Sequence, residues 1–276
     1  MIASAPPEPT SVLERHVVRD TGGEGPVLFL VHGYGCNQAM WSRLVPHFEA
    51  DYRLVLMDHV GTAEAGVPAD YDPEAYLRLE RYAEDVAVVV EALDLRDVTL
   101  VGHSVSAMIC GLATELLGDR VRDLVMIGPS PYYLNDGDYR GGFRPEDIAG
   151  LLESIGGNYV GWSGAMAPAI MGEDHPEEGQ ALVATFCEQD PRVALVFARA
   201  TFEPDYRGAL GGIAVPTLVL QTRRDIIAPE HVGRYVAEHL PRGRFHQLEA
   251  TGHLPNYSAP AETAAAIKAF LHRTDR

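Results

Sequence analysis

The sequence predicts an α/β fold, with a mostly parallel central sheet and one helical insertion. Two observations predict it. Continuously apolar runs of strand length alternate with amphipathic stretches of helix length, the pattern of βα units whose strands are covered on both faces. That rhythm breaks once, from residue 129 to about 209, where no strand-like run occurs and helical patterns are separated by Gly, Pro, Asn and Asp. A chain of 276 residues suits one such core with one insertion.

Each element has its own signal. VLFLVHG at 27–33 reads as a buried strand closed by glycine, and RLVLMDHVG at 53–61 as the next. A helix over 81–95 places Tyr82, Val86, Val89, Val90 and Leu93 on one face. VTLVGHS at 98–104 returns to strand, 107–117 is the helix that follows it, and VRDLVMIG at 121–128 is a further strand. Breaks at Gly156, Gly157, Asn158, Gly172, Pro176, Asp190 and Pro191 divide the insertion into four helices. Beyond it come TLVLQ at 217–221 as strand, helix at 230–240, strand at 243–249 and a closing helix at 261–272. The expected organisation is a core of residues 1–131 and 212–276, with the helical segment 132–211 inserted between its halves.

Composition narrows the function. Twenty-two Lys and Arg stand against thirty-nine Asp and Glu, a formal charge of −17, which repels phosphate backbones and anionic membranes. Nucleic acid and membrane partners are therefore not expected. Cys36, Cys110 and Cys187 are odd in number and far apart, which suits a reducing cytoplasm better than a disulfide framework. MIASAPPEPT at 1–10 has neither basic nor apolar signal character and reads as a frayed tail.

The segment VGHSVSA at 101–107 carries the chemistry. A buried strand turns sharply into a helix there, which would lift the Ser104 hydroxyl above the sheet, with the helix N-terminus behind it. The usual G-x-S-x-G pattern has glycine where this chain has Ser106, a small residue that still allows close packing. Serine needs a base to take its proton and an acid to orient that base. In this arrangement they follow in the order serine, acid, histidine. Asp225 in TRRDIIAP follows one strand, and His253 in ATGHLPNYS follows the last. The competing acid position after 121–128 holds Pro129, Ser130 and Pro131, with no carboxylate. Taken singly, Asp225 could cap a helix and His253 could be a solvated loop residue; taken jointly, Ser104, Asp225 and His253 are the expected catalytic set. The expected oxyanion donors are the backbone N–H groups of Tyr34 and Val105, with His32, Gly33 and Gly35 structural. Asp58 and His59 read as a turn cap, and His103 as a packing residue. No metal-ligand spacing, G-x-G-x-x-G or P-loop pattern occurs, so the chemistry is expected to be free of metal and cofactor.

With HGYGCNQAMW, MDHVG, GHSVSAMI, GPSPYYLND, GGF, NYVGW, DIIAP and GHLP in register, the chain resembles the α/β-hydrolase superfamily. More narrowly it resembles the branch that contains the bacterial stress-response hydrolase RsbQ and the plant karrikin and strigolactone receptors. That resemblance implies a four-helix lid over a deep apolar pocket and slow hydrolysis of small hydrophobic esters or butenolide lactones. Carried over by position, the pocket residues are Tyr34, Tyr133, Phe143, Trp162, Met166, Phe197, Thr201 and Leu254, with Val105 beside the nucleophile. Two expectations follow: a serine ester or lactone hydrolase, or a ligand sensor whose lid is read by a signalling protein partner.

Overall fold

The computed structural model describes residues 11–172 and 174–273; the tail expected at 1–10 lies outside them. A short helix, α1 (Val12–Arg15), precedes a seven-stranded sheet: β1 (Arg19–Asp20), β2 (Val27–Val31), β3 (Arg53–Met57), β4 (Val98–His103), β5 (Val121–Ile127), β6 (Thr217–Gln221) and β7 (Gly243–Gln247). The spatial order is β1-β3-β2-β4-β5-β6-β7. Every pairing is parallel except that of β1 with β3.

The continuous apolar runs exist because both faces of the sheet are covered. Along β2, Val27, Phe29 and Val31 join one core cluster, while Leu28 and Leu30 join another. Val55 and Met57 in β3 and Leu124 and Met126 in β5 fall in the first cluster, and their neighbours Leu54, Leu56, Val125 and Ile127 in the second. This is the period-two alternation of a pleated strand with apolar partners on either side. The first cluster packs under α2 (Leu79–Ala92), α3 (Val105–Leu117) and α8 (Glu230–His239). The second packs under α10 (Pro260–Leu271) and the loop bearing Trp41, Leu44 and Phe48; α9 (Pro255–Ser258) leads into α10.

Between β5 and β6 lie α4 (Pro145–Gly157), α5 (Tyr159–Met171), α6 (Pro176–Cys187) and α7 (Pro191–Phe202). Their inward faces, including Ile148, Leu152, Ile170, Leu182, Phe186 and Ala198, form a third apolar cluster with Cys36, Met40, Tyr133 and Leu254 from the loops above the sheet. The core strands end sooner than their apolar runs suggest. His32 and Gly33, His59 and Gly61, and Ser104 all lie past their strands, in the loops at the C-terminal edge.

Candidate active site

Ser104 sits between β4 and α3 with φ +58° and ψ −127°, a conformation non-glycine residues rarely adopt. Two glycines make room for it. A Cβ on Gly102 would lie 2.1 Å from the Ser106 carbonyl, and one on Gly33 would lie 2.9 Å from Ser104 Cβ. Val105 is the first residue of α3, so its N–H has no carbonyl one turn back within the helix.

The loops after β6 and β7 bring the other two groups to this turn. His253 Nε2 lies 2.8 Å from Ser104 Oγ, and its Nδ1 lies 2.6 Å from Asp225 Oδ2. All three are nearly sealed from solvent, at 6%, 4% and 9% exposure for Ser104, His253 and Asp225. Asp225 Oδ1 accepts the N–H groups of Ile227 at 2.8 Å and Ala228 at 3.0 Å, and Gln221 Nε2 donates to Oδ2 at 3.3 Å. Burial pushes the Asp225 carboxyl up, but His253 and these backbone donors outweigh it and hold it below the ordinary carboxylate range. The His253 backbone N–H donates to the Ile170 carbonyl at 2.9 Å, so α5 helps to fix the histidine loop.

His103 stands beside this set without joining it. Its Nε2 contacts the His253 carbonyl at 2.9 Å, as a donor, and burial with the adjacent His253 pulls its imidazole down to about 3. On the other side of Ser104, the loop after β2 carries Tyr34, whose backbone N–H makes no backbone hydrogen bond among the described loops. Tyr34, next to the glycine packed against Ser104, and Val105, next to Ser104 itself, thus carry N–H groups with no backbone acceptor among the described residues.

Above Ser104 and His253 lies a cavity of about 50 Å³. Tyr34, Phe143, Trp162, Met166, Thr201 and Leu254 line it, together with Cys36, Leu151, Ile170, Leu182, Phe186, Phe202 and Ile227. Burial pushes the Cys36 thiol up to about 12, so it is no competing nucleophile. Two residues expected there, Phe197 and Tyr133, are not in the lining set. Phe197 turns toward the sheet and stacks on Tyr82 with ring centroids 4.4 Å apart, and also meets His59 at 5.3 Å. Tyr133 packs edge-on behind Phe202 at 4.7 Å; its hydroxyl is buried without a hydrogen-bond partner, and its surroundings include the Ser104 hydroxyl and Asp225.

A family model of the α/β-hydrolase fold matches residues 26–260. The chain belongs to the α/β-hydrolase family. It is 36% identical over 264 residues to a strigolactone esterase of Arabidopsis thaliana, covering 95% of this chain and 98% of that one. It is 35% identical to a karrikin insensitive 2 receptor of Petunia hybrida, covering 95% and 97%. Among solved structures, a hydrolase from Oleispira antarctica matches with a TM-score of 0.90 and 36% identity, over 95% of this chain and 97% of that one.

Within this α/β-hydrolase the sequence reading missed one polar cluster. Asp58 does act as a cap, accepting the Gln38 N–H at 2.8 Å. His59, expected to share that role, is instead buried, with Nε2 2.9 Å from Ser106 Oγ. The extra hydroxyl at the position where the motif usually has glycine was the signal. Among the described residues, no group of three His, Cys, Asp or Glu stands close enough to hold a metal, and no helix is long and apolar enough to cross a membrane.

Proposed function

We propose that this α/β-hydrolase cleaves small hydrophobic esters or lactones through an acyl-enzyme on Ser104. The observation that carries the reading is the continuous chain Ser104 Oγ, His253, Asp225 at the floor of an apolar cavity. His253 Nε2 takes the serine proton as Oγ attacks the carbonyl, and then gives it to the leaving oxygen. Asp225, held ionised, keeps Nδ1 protonated and stabilises the imidazolium. The N–H groups of Tyr34 and Val105 stabilise the tetrahedral oxyanion, aided by the N-terminal end of α3. Water then enters and the same groups release the acid. No step calls on a cofactor.

The substrate class follows from the wall. Aromatic and aliphatic side chains surround the reacting groups, and Thr201 is the one uncharged hydroxyl residue among the lining set besides Ser104 and Tyr34. At about 50 Å³ the cavity holds a few waters rather than a whole ester. The four helices α4–α7 therefore act as a lid that must shift, with flexible Met166, to admit substrate.

A second reading is favoured by one finding, the relative named as a karrikin receptor. In it the same site binds a butenolide-type ligand, turnover is slow, and a signalling protein reads the lid. One experiment covers both: turnover of p-nitrophenyl acetate and of a butenolide-caged fluorophore by wild type and Ser104→Ala, with mass spectrometry of adducts on Ser104 and His253. Rapid ester turnover lost in the variant supports the hydrolase. Slow butenolide-selective cleavage with a lasting adduct supports the sensor. Wild-type rates in Ser104→Ala overturn both.

A further inference from the structure

The loop after β2 and the start of α3 are joined by a buried hydrogen-bond chain that the reaction as described does not use. Ser106 Oγ donates to the His32 carbonyl at 2.5 Å. That contact occupies the hydroxyl hydrogen, so the 2.9 Å contact between Ser106 Oγ and His59 Nε2 is an N–H donated by the imidazole. The His59 backbone N–H in turn donates to His32 Nε2 at 3.2 Å, and His32 Nδ1 donates to the Gly33 carbonyl at 3.0 Å. Ser106, His59 and His32 are all buried.

These bonds sit where position matters. His32 is two residues before Tyr34, and Ser106 is one residue after Val105, so the chain spans the two backbone donors assigned to the oxyanion. Gly33 approaches the serine turn without a side chain of its own, and the Ser106 hydroxyl supplies a side-chain tie between the two segments there. The His59 ring is held edge-on by Tyr82 at 5.5 Å and 89°, and by His32 at 4.8 Å, which fixes the direction of its N–H. Its Nδ1 makes no hydrogen bond. A residue serving packing alone would be apolar there, since a buried nitrogen without a partner is unfavourable.

We propose that His59 and Ser106 are positioning residues that hold the Tyr34 loop in register with the Ser104 turn and thereby set the separation of the two oxyanion N–H donors. The inference rests on the serine-hydrolase reading above. It assigns neither residue to contact with substrate: both act through the backbone at His32 and Val105. Their effect falls on the transition state, where donors displaced by a fraction of an ångström lose strength, and not on ground-state binding in the apolar cavity.

The test uses the full chain with p-nitrophenyl acetate as substrate and phenylboronic acid as a tetrahedral mimic on Ser104. Ser106→Ala and His59→Leu are each expected to lower kcat roughly tenfold to a hundredfold, with KM within about twofold. Phenylboronic acid inhibition should weaken by the same factor. The double variant should lose little more than either single one, because both break the same chain. His59→Gln places an amide N–H at a similar reach from the backbone and should recover most of kcat. Variants that lower the melting temperature while kcat and phenylboronic acid inhibition stay at wild-type values overturn the inference, as do additive losses in the double variant. Those results leave the hydrolase reading standing. Absence of any Ser104-dependent turnover in the wild type overturns the hydrolase reading and this inference with it.

Discussion

Gly33 lies so close to Ser104 that a methyl group on its Cα would sit 2.9 Å from the serine Cβ and 2.7 Å from His103 Nδ1. Neither neighbour is the loose end of a flexible chain: Ser104 is fixed by its strained backbone, and His103 by its bond to the His253 carbonyl. Gly33→Ala must therefore move the loop that carries Tyr34. Losing one oxyanion donor costs about a hundredfold to a thousandfold in kcat, and a loss of that order is expected here with KM little changed. Steady-state kinetics with a circular dichroism control decide it. Full activity in the alanine variant would show that the Tyr34 N–H is not an oxyanion donor.

Asp225 divides its oxygens between two jobs, one accepting the Ile227 and Ala228 N–H groups and the other facing His253. In Asp225→Asn only one of these faces keeps an acceptor. If the amide nitrogen turns to His253, the imidazole is driven to the tautomer that cannot accept the serine proton, and kcat falls by about ten-thousandfold. If it turns to the backbone instead, the two N–H groups lose their acceptor and the loop after β6 loosens. The first outcome leaves the melting temperature near wild type, and the second lowers it. Measuring kcat beside a thermal melt tells them apart, and unchanged kcat overturns the assignment of Asp225.

The central sheet was legible because burial on both faces writes itself as unbroken apolar runs; VLFLV and TLVLQ need no partner to be recognised. β1 was not, since Arg19 and Asp20 are two exposed residues whose pairing with Leu56 and Val55 leaves no hydrophobic trace. Ser104, Asp225 and His253 could be grouped from chain order alone, because each follows a strand and parallel strands end at one edge. The cavity wall was harder. Phe197 and Thr201 are four residues apart on α7 and share a face, yet Thr201 lines the cavity while Phe197 packs against Tyr82. The rotation of a short helix about its axis is set by tertiary packing, and an apolar stripe reads the same whether it meets a ligand or the core. His59 was misread for a related reason: its partner Ser106 is 47 residues away.

Three buried histidines make stability sensitive to mild acid. Burial, joined by the neighbouring His32 and His16, holds His59 well below the ordinary imidazole range; burial with the adjacent His253 brings His103 to about 3; and burial lowers His32 against the pull of Asp58. The unfolded chain protonates each near pH 6.5, while the folded chain keeps them neutral. Their contribution to stability is thus complete above about pH 6.5 and is lost as pH falls from there toward the folded values, with up to three protons taken up on unfolding. Urea midpoints at pH 7.5, 6.5 and 5.5 should decline progressively. His103→Gln should flatten that decline by about one proton of the three, by the same linkage. A midpoint independent of pH over this range would mean that the histidines protonate in the folded state.

On the proposed function, Trp162 is the wall that limits the size of the acyl group the cavity accepts. Its ring meets Tyr34 at 6.1 Å and Phe186 at 5.3 Å, closing the side of the cavity formed by α5 and α6. Trp162→Ala removes that wall without touching Ser104, His253 or the backbone donors. Burial of a large aromatic is worth about 3–5 kcal/mol when complete, and Trp162 is only part-buried, so the stability loss should be smaller. Turnover of p-nitrophenyl acetate should stay within a few-fold, while kcat/KM for the octanoate ester rises about tenfold, one or two methylenes' worth of new apolar contact. A chain-length series of nitrophenyl esters against both proteins reads this directly. If the profile does not shift toward longer acyl groups, the acyl chain lies elsewhere, and the side walled by Phe143, Leu151 and Ile227 becomes the acyl subsite.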